Sequence, residues 1–335
     1  MRTIDAFNHF FPAKFFDKML QTPAGSKDLG KRMRGIPAVH DLDVRLRVLD
    51  EFADYAQVLS LGLPPVEVLV GPDQALELAR IGNDGLAELV AKYPDRFVGY
   101  AASLPMSVPD AAAREAERVF AAGANALQLF TNVSGAPLDE PRFLPVFEVA
   151  NAAGRPILLH PVRTPAMPDY STEMFSRYEI WTILGWPYET SVAMARLVFS
   201  GIMDRFPDLK VVAHHLGAMI PFFSDRIRYG WSQLGTRTSG EDLGAVAQRM
   251  RKPAVDYFKD FYGDTALCGS PASIMCGLDF FGADHVLFAT DCPFDPEGGR
   301  GYIRSITAIM DELPISAQER EKICFRNAER LFGLT

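Results

Sequence analysis

Eight short apolar segments, each followed by a helix-like stretch, constrain this chain more than any other feature. They are TIDAFNHF (3–10), YAQVLSLG (55–62), FVGYAAS (97–103), ALQLF (126–130), PILLHPV (156–162), KVVAHHL (210–216), DFYGDTA (260–266) and HVLFATD (285–291). Parallel strands joined by helical crossovers are covered on both faces, so they read as apolar runs rather than as alternating patterns. Eight such units predict an α/β fold, a single (β/α)8 TIM-like barrel. Between them, PDQALELARIGNDGLAELVAKY (72–93) and DAAAREAERVFAAG (110–123) place apolar residues at three- and four-residue intervals, with Gly123 as a stop. FLPVFEVANAAG (143–154) and SVAMARLVFSGIMDRF (191–206) repeat the pattern. These are outer-ring helices, and with no low-complexity linker the expectation is one domain over 1–335.

Of the 335 residues 48% are apolar, enough for a sizeable core. A net charge of −8 without any Lys/Arg cluster argues against nucleic acid as a partner. Cys268, Cys276, Cys292 and Cys324 are widely separated and form no Cys-x-x-Cys pair, so they are expected to be reduced and the chain cytoplasmic. MRTIDAF has an acid where a signal peptide needs an apolar run, and later apolar stretches are too short for a membrane span. No phosphate loop and no Gly-x-Ser-x-Gly elbow occurs, and EGGRGY (297–302) lacks the strand–helix setting of a dinucleotide site.

Two connections are long, 11–44 after the first strand and 163–190 after the fifth. In a barrel both leave from the C-terminal face, and they carry Phe15, Phe16, Tyr170, Trp181 and Trp186. They are expected to form lids or subunit contacts, with Trp186 facing substrate. Three of the chain's six histidines, His9, His160 and His215, sit at strand ends, and Asp291 closes the eighth strand. Imidazole nitrogen and carboxylate oxygen at one mouth suit a divalent ion, Zn²⁺ first and Mn²⁺ second, with a coordination position left for substrate. His214 and His215 point to opposite faces if both lie on a strand, and periodicity does not separate them. His40 and His285 are expected to be structural.

With their surroundings, these residues resemble the amidohydrolase superfamily, in the branch of aminocarboxymuconate-semialdehyde and γ-resorcylate decarboxylases. The resemblance runs through IDAFNHFFP, RLRVLDEFADYAQVLSL (45–61), ILLHPV (157–162), the block 184–227, VLFATDCPF (286–294) and RNAERLFGL (326–334). It implies a metal held by His9, His160, Asp291 and His215, the last chosen from HLGAMIP by its distance to the proline. It also implies Arg226 reaching a substrate carboxylate across a dimer interface, and Arg34 as a second carboxylate-binding arginine. The family's first strand carries His-x-His or Glu-x-His, whereas Phe7 stands at the first of those places.

Phenylalanine has no lone pair to give, and three outcomes follow. The remaining set still holds a metal, the site is weak and often empty, or the chain is a non-catalytic member of a hetero-oligomer. The completeness of the remaining set favours the first. The activity implied is metal-dependent, non-oxidative decarboxylation of an aromatic or unsaturated carboxylic acid. His215 or Asp291 moves the proton, no organic cofactor is needed, and the chain forms a homodimer or higher oligomer. The alternative within the same barrel is a hydrolase or hydratase acting on a small carboxylate.

Overall fold

Each of the eight apolar segments contains a strand: β1 Thr3–His9, β2 Tyr55–Ser60, β3 Phe97–Ser103, β4 Ala126–Phe130, β5 Ile157–His160, β6 Val211–Ala213, β7 Tyr262–Asp264 and β8 Val286–Leu287. The computed structural model describes residues 1–334. The strands form one sheet in chain order, and every neighbouring pair is parallel. Backbone bonds past the end of β8 close the ring onto β1: Ala6 N donates to Phe288 O at 2.9 Å, Asp291 N to Phe7 O at 3.1 Å, and His9 N to Cys292 O at 2.9 Å. All seven residues of β1 are buried, which is why its polarity does not alternate.

The crossovers are helical as the periodicity predicts. The helices used below are α1 Leu42–Leu49, α2 Pro72–Lys92, α3 Pro109–Ala121, α4 Leu144–Ala153, α5 Gly185–Phe199, α6 Ser224–Trp231, α7 Pro271–Phe281 and α8 Arg300–Glu312. Proline occupies the first turn of α2, α3, α4 and α7, where its missing N–H is not needed. Asp41 caps α1 by accepting from Val44 N at 3.0 Å. No helix among the described residues is long and apolar enough to cross a membrane. The four cysteines are free.

The connection 11–44 is less bare than expected of a loop. It holds helices Ala13–Leu20 and Asp28–Arg34 and the start of α1, because Phe15, Phe16 and Met19 recur on one face and bury together. The stretch 163–179 has no regular structure, and Ile180–Ile183 and α5 follow.

Two buried polar residues tie the barrel wall together beneath its mouth. Asp5 accepts from Tyr55 Oη at 2.5 Å, Thr290 Oγ1 at 2.7 Å and Thr290 N at 3.1 Å, joining β1, β2 and the chain leading to Asp291. Burial pushes its carboxyl up to about 6 against the lowering effect of Tyr55 and Thr290. Arg45 of α1 is completely buried. It donates to Ala38 O at 2.8 Å, Gln57 Oε1 at 3.0 Å, Cys292 Sγ at 3.2 Å and the carbonyl of His9. Gln57 in turn reaches Asp5 Oδ2 at 3.3 Å, so an amide bridges the buried cation and the buried acid.

Removing that guanidinium orphans several buried acceptors at once. Arg45→Ala is expected to lose about 3 kcal/mol or more of unfolding free energy, read as a lower urea midpoint. An unchanged midpoint would show that the network is dispensable.

Candidate metal centre

β1, β5 and β6 deliver three imidazoles to one point, and each is held by its Nδ1. His9 Nδ1 lies 3.1 Å from Leu61 O and 3.2 Å from Ser60 Oγ. His160 Nδ1 lies 2.7 Å from Pro161 O, and His214 Nδ1 lies 2.7 Å from Asp264 Oδ2. Carbonyl and carboxylate oxygens only accept, so each Nδ1 carries a proton and each Nε2 is turned toward the common centre. Asp291 completes the group. One donor atom from each of His9, His160, His214 and Asp291 lies within 4.8 Å of the others.

Those atoms lack other partners. His9 Nε2, His214 Nε2 and Asp291 Oδ1 are buried without a hydrogen bond, although His9 Nε2 stands 3.2 Å and His214 Nε2 3.6 Å from Asp291 Oδ1. Two imidazole nitrogens and a carboxylate oxygen buried without partners are costly unless a cation satisfies them. The donor set of three imidazoles and one carboxylate fits a divalent ion.

The protonation equilibria carry the same imprint. Burial works against charge on His214, but Asp264 and Asp291 outweigh it and push the imidazole up to about 9. Burial, with His214 and His9 beside it, holds His160 well below the usual imidazole range. Asp291 lies well below the carboxylate range: burial opposes this, and the nearby His214 and His9 override it.

The sequence expectation placed His215 among the ligands, but the structure brings His214 there instead. His214 still pairs with β5, its N donating to Leu159 O at 3.2 Å, so its ring points inward. At His215 the chain turns left-handed, and it stays so for four residues: φ is +58° at His215, +55° at Leu216, +70° at Gly217 and +56° at Ala218. Strand alternation no longer applies there. His215 is half-buried, its ring centroid 6.4 Å from that of His160, and its Nδ1 has no partner. Burial, then His214, lowers its imidazole to about 3.

A left-handed turn costs roughly 1 kcal/mol for each non-glycine residue, so something must hold it. Asp264 Oδ1 accepts from His215 N at 3.1 Å. Leu216 is a buried knob seated against two glycines: a Cβ on Gly277 of α7 would meet Leu216 Cδ2 at 2.2 Å, and one on Gly263 of β7 would meet Leu216 Cα at 3.2 Å.

The other expected residues fall in two groups. The Trp186 ring centroid is 5.7 Å from that of His160, with Trp181 6.0 Å beyond, so these aromatics do flank the centre. Arg34 is exposed and donates to Ser26 O at 3.1 Å; the guanidinium of Arg32 stands 5.3 Å from the Phe294 ring, which is 5.4 Å from that of His9. Arg226 is exposed on α6 and lines a cavity of about 900 Å³ with Tyr188, Met219, Ile220 and Arg237, away from its own chain's four donors. Phe16 stacks on His40 and Tyr262 on His285, consistent with structural roles for both histidines. Asp264 was missed, although it closes the apolar run 260–266 much as Asp291 closes 285–291, and that was the available signal.

Comparison with known proteins follows the same lines. A family model described as amidohydrolase matches residues 4–334. The γ-resorcylate decarboxylase of Polaromonas sp. is 33% identical over 303 residues, 87% of each chain. The solved 5-carboxyvanillate decarboxylase of Sphingomonas paucimobilis superposes with TM-score 0.84 at 27% identity, covering 100% of this chain and 99% of that one. A dihydroxybenzoic acid decarboxylase from Polaromonas sp. JS666, solved with bound manganese and the inhibitor 2-nitroresorcinol, gives TM-score 0.75 at 29% identity, covering 99% and 97%.

Filling the glycine hollow tests the turn. Gly277→Ala is expected to cost about 1–3 kcal/mol and to lower the thermal midpoint. A midpoint equal to wild type would mean that Leu216 does not lock the His215 turn.

Proposed function

Because the chain belongs to the amidohydrolase family, with donors gathered at its barrel mouth, we propose that it is a metal-dependent, non-oxidative decarboxylase of an aromatic or unsaturated carboxylic acid. The observation that carries the reading is the convergence of pinned imidazoles on the unpartnered oxygen of Asp291. His9, His160 and Asp291 hold the ion. Nitrogen-rich donors suit Zn²⁺, and Mn²⁺, bound in the Polaromonas structure, is its competitor. A bound divalent cation supplies Lewis acidity and a template for the substrate's carboxylate and a neighbouring hydroxyl.

The chain's own residues then set the course of the reaction. A proton is added to the carbon bearing the carboxylate, the carbon–carbon bond breaks, and its electron pair restores conjugation as CO₂ leaves. Asp291 is held ionised and is a poor donor at rest. His215 is half-buried beside the donors and its Nδ1 has no partner, so it is placed to pass a proton from solvent to the substrate carbon. Phe130, Trp186 and Trp181 supply apolar walls that exclude water. An apolar pocket of about 190 Å³, lined by Leu29, Leu63, Pro64, Val162 and Trp181, has room for the substrate ring's far edge.

A homodimer belongs to the same reading. Arg226 forms no ion pair or hydrogen bond among the described residues, and Tyr188, Phe222 and Tyr229 are exposed around it. A second copy over this face would take Arg226 toward the other subunit's substrate carboxylate, which a guanidinium binds with two parallel hydrogen bonds.

Incubation with ortho-hydroxybenzoic acids is expected to release CO₂, and His215→Ala to slow turnover by about 10²–10⁴-fold. A product that keeps its carboxylate would point to a hydratase or hydrolase instead. Arg226→Ala is expected to raise KM for the acid at least about tenfold while sedimentation still reports a dimer. A monomeric wild type would remove the role given to Arg226.

A further inference from the structure

The buried apolar side chains of this molecule fall into two separate clusters. The large one is the barrel core; the small one, Leu63, Phe130 and Val162 with Leu29 and Trp186 packed on it, lies at the mouth. Leu63 follows β2 and Val162 follows β5, so the chain segments that orient His9 and supply His160 also carry this cluster: Leu61 O, just before Leu63, stands against His9 Nδ1. On its inner side the cluster borders the donors, the Phe130 and Trp186 rings standing 5.5 Å and 5.7 Å from that of His160. On its outer side Leu29, Leu63 and Val162 are walls of the cavity of about 190 Å³, together with Pro64, Trp181 and Val68. Leu63, Val162 and Trp181 are buried, whereas Val68 is 41% exposed, so the cavity runs from beside the centre out to solvent.

The edge of one ring leaves most of that space unfilled. A cavity of about 150 Å³ lined by Leu, Ile and Phe takes up a whole benzene molecule, so about 190 Å³ has room for a chain of about five or six carbon atoms. The charged side chains along it, Lys27 and Asp28, are both exposed and mark its rim. Its floor of Leu63, Pro64 and Val162 has no side-chain group to pair with a buried hydroxyl or carboxylate.

We propose that this cavity receives an alkyl chain carried on the edge of the substrate ring remote from the carboxylate, so that the preferred acid is an alkyl-substituted hydroxybenzoate; the proposal rests on the decarboxylase reading of the centre. The acid end of the ring has to reach Asp291 and His215, which leaves the opposite edge to lie toward Leu63 and Val162. A chain there is far from the bond that breaks and acts through burial, each methylene taken out of water tightening binding about fourfold. The gain ends where the chain passes Val68 into solvent. A polar group of the same length loses its water without finding a partner. The seated chain also turns the ring, holding its carboxylate toward the donors.

Ortho-hydroxybenzoic acids bearing hydrogen, methyl, propyl, pentyl or nonyl, para or meta to the carboxylate, are compared by CO₂ release. The matching alkylphenols, which have no carboxylate to lose, are compared by calorimetric titration. At one of the two positions kcat/KM is expected to rise by up to about fourfold per methylene as far as pentyl and to level off by nonyl, while Kd of the phenols falls in parallel. Leu29→Trp, which fills the cavity, and Leu29→Asp, which puts an ionised group on its wall, are each expected to lower the pentyl-to-hydrogen ratio of kcat/KM at least about tenfold. A general loss of activity leaves that ratio unchanged, and far-ultraviolet circular dichroism confirms that each variant is folded. Equal kcat/KM and Kd along the series at both positions, or a ratio unmoved in the folded Leu29 variants, overturns the alkyl pocket and leaves the decarboxylase reading in place. Phenols that bind more tightly with chain length in wild type but not in the variants, with no CO₂ from any acid, overturn the decarboxylase reading and leave the pocket standing.

Discussion

Everything at the mouth of this barrel depends on the proton on Nδ1 of three histidines. A free imidazole presents its lone pair from either nitrogen, and three of them in a dry cavity have no common preference. Here an oxygen that can only accept stands against each Nδ1: the carbonyls of Leu61 and Pro161, and the carboxylate of Asp264. The ring orientations are thereby set before any ion arrives. An ion entering the centre would not have to reorganise these rings, and that is the physical content of a preformed site.

Those acceptors are themselves held by the barrel. The His9 backbone is gripped by Arg45, whose guanidinium also touches Gln57 and Cys292, the residue after Asp291. Asp5 pins Thr290 on the other side of Asp291. Buried Arg45 and Asp5 thus flank the chain segments that carry two of the donors. Closure of the sheet by Asp291 N on Phe7 O places the first and last strands in register, so residues 282 positions apart in sequence, His9 and Asp291, face each other.

The chemistry then divides between rigid and turning backbone. His9, His160 and His214 sit on or directly after strands whose partners hold them on both sides. His215 sits on a left-handed turn kept by Leu216 against two glycines and by Asp264. An imidazole on such a turn leaves the plane of the sheet and stands half-buried beside the donors. The tryptophans beyond His160 give the centre an apolar flank.

Much of this was legible without coordinates. Continuous apolar runs separated by helical periods imply buried parallel strands, and eight of them match the number that closes a barrel; the closing bonds from β1 to the chain after β8, which distinguish it from an open doubly wound sheet, are seen only in the structure. His9, His160 and Asp291 stood out together and not singly: an imidazole or an acid in an apolar strand is ordinarily a hydrogen-bonded core residue or a cap, and it was their convergence on one mouth of the barrel that pointed to a shared ion. The choice between His214 and His215 was not legible. It turns on where β6 stops and on a run of positive φ angles held by Asp264, Gly263 and Gly277, residues some fifty and more positions away in sequence. Alternation along a strand is a local property that a sequence displays. The point at which alternation ends was decided by packing from β7 and α7, which only the folded chain brings into contact with those two histidines.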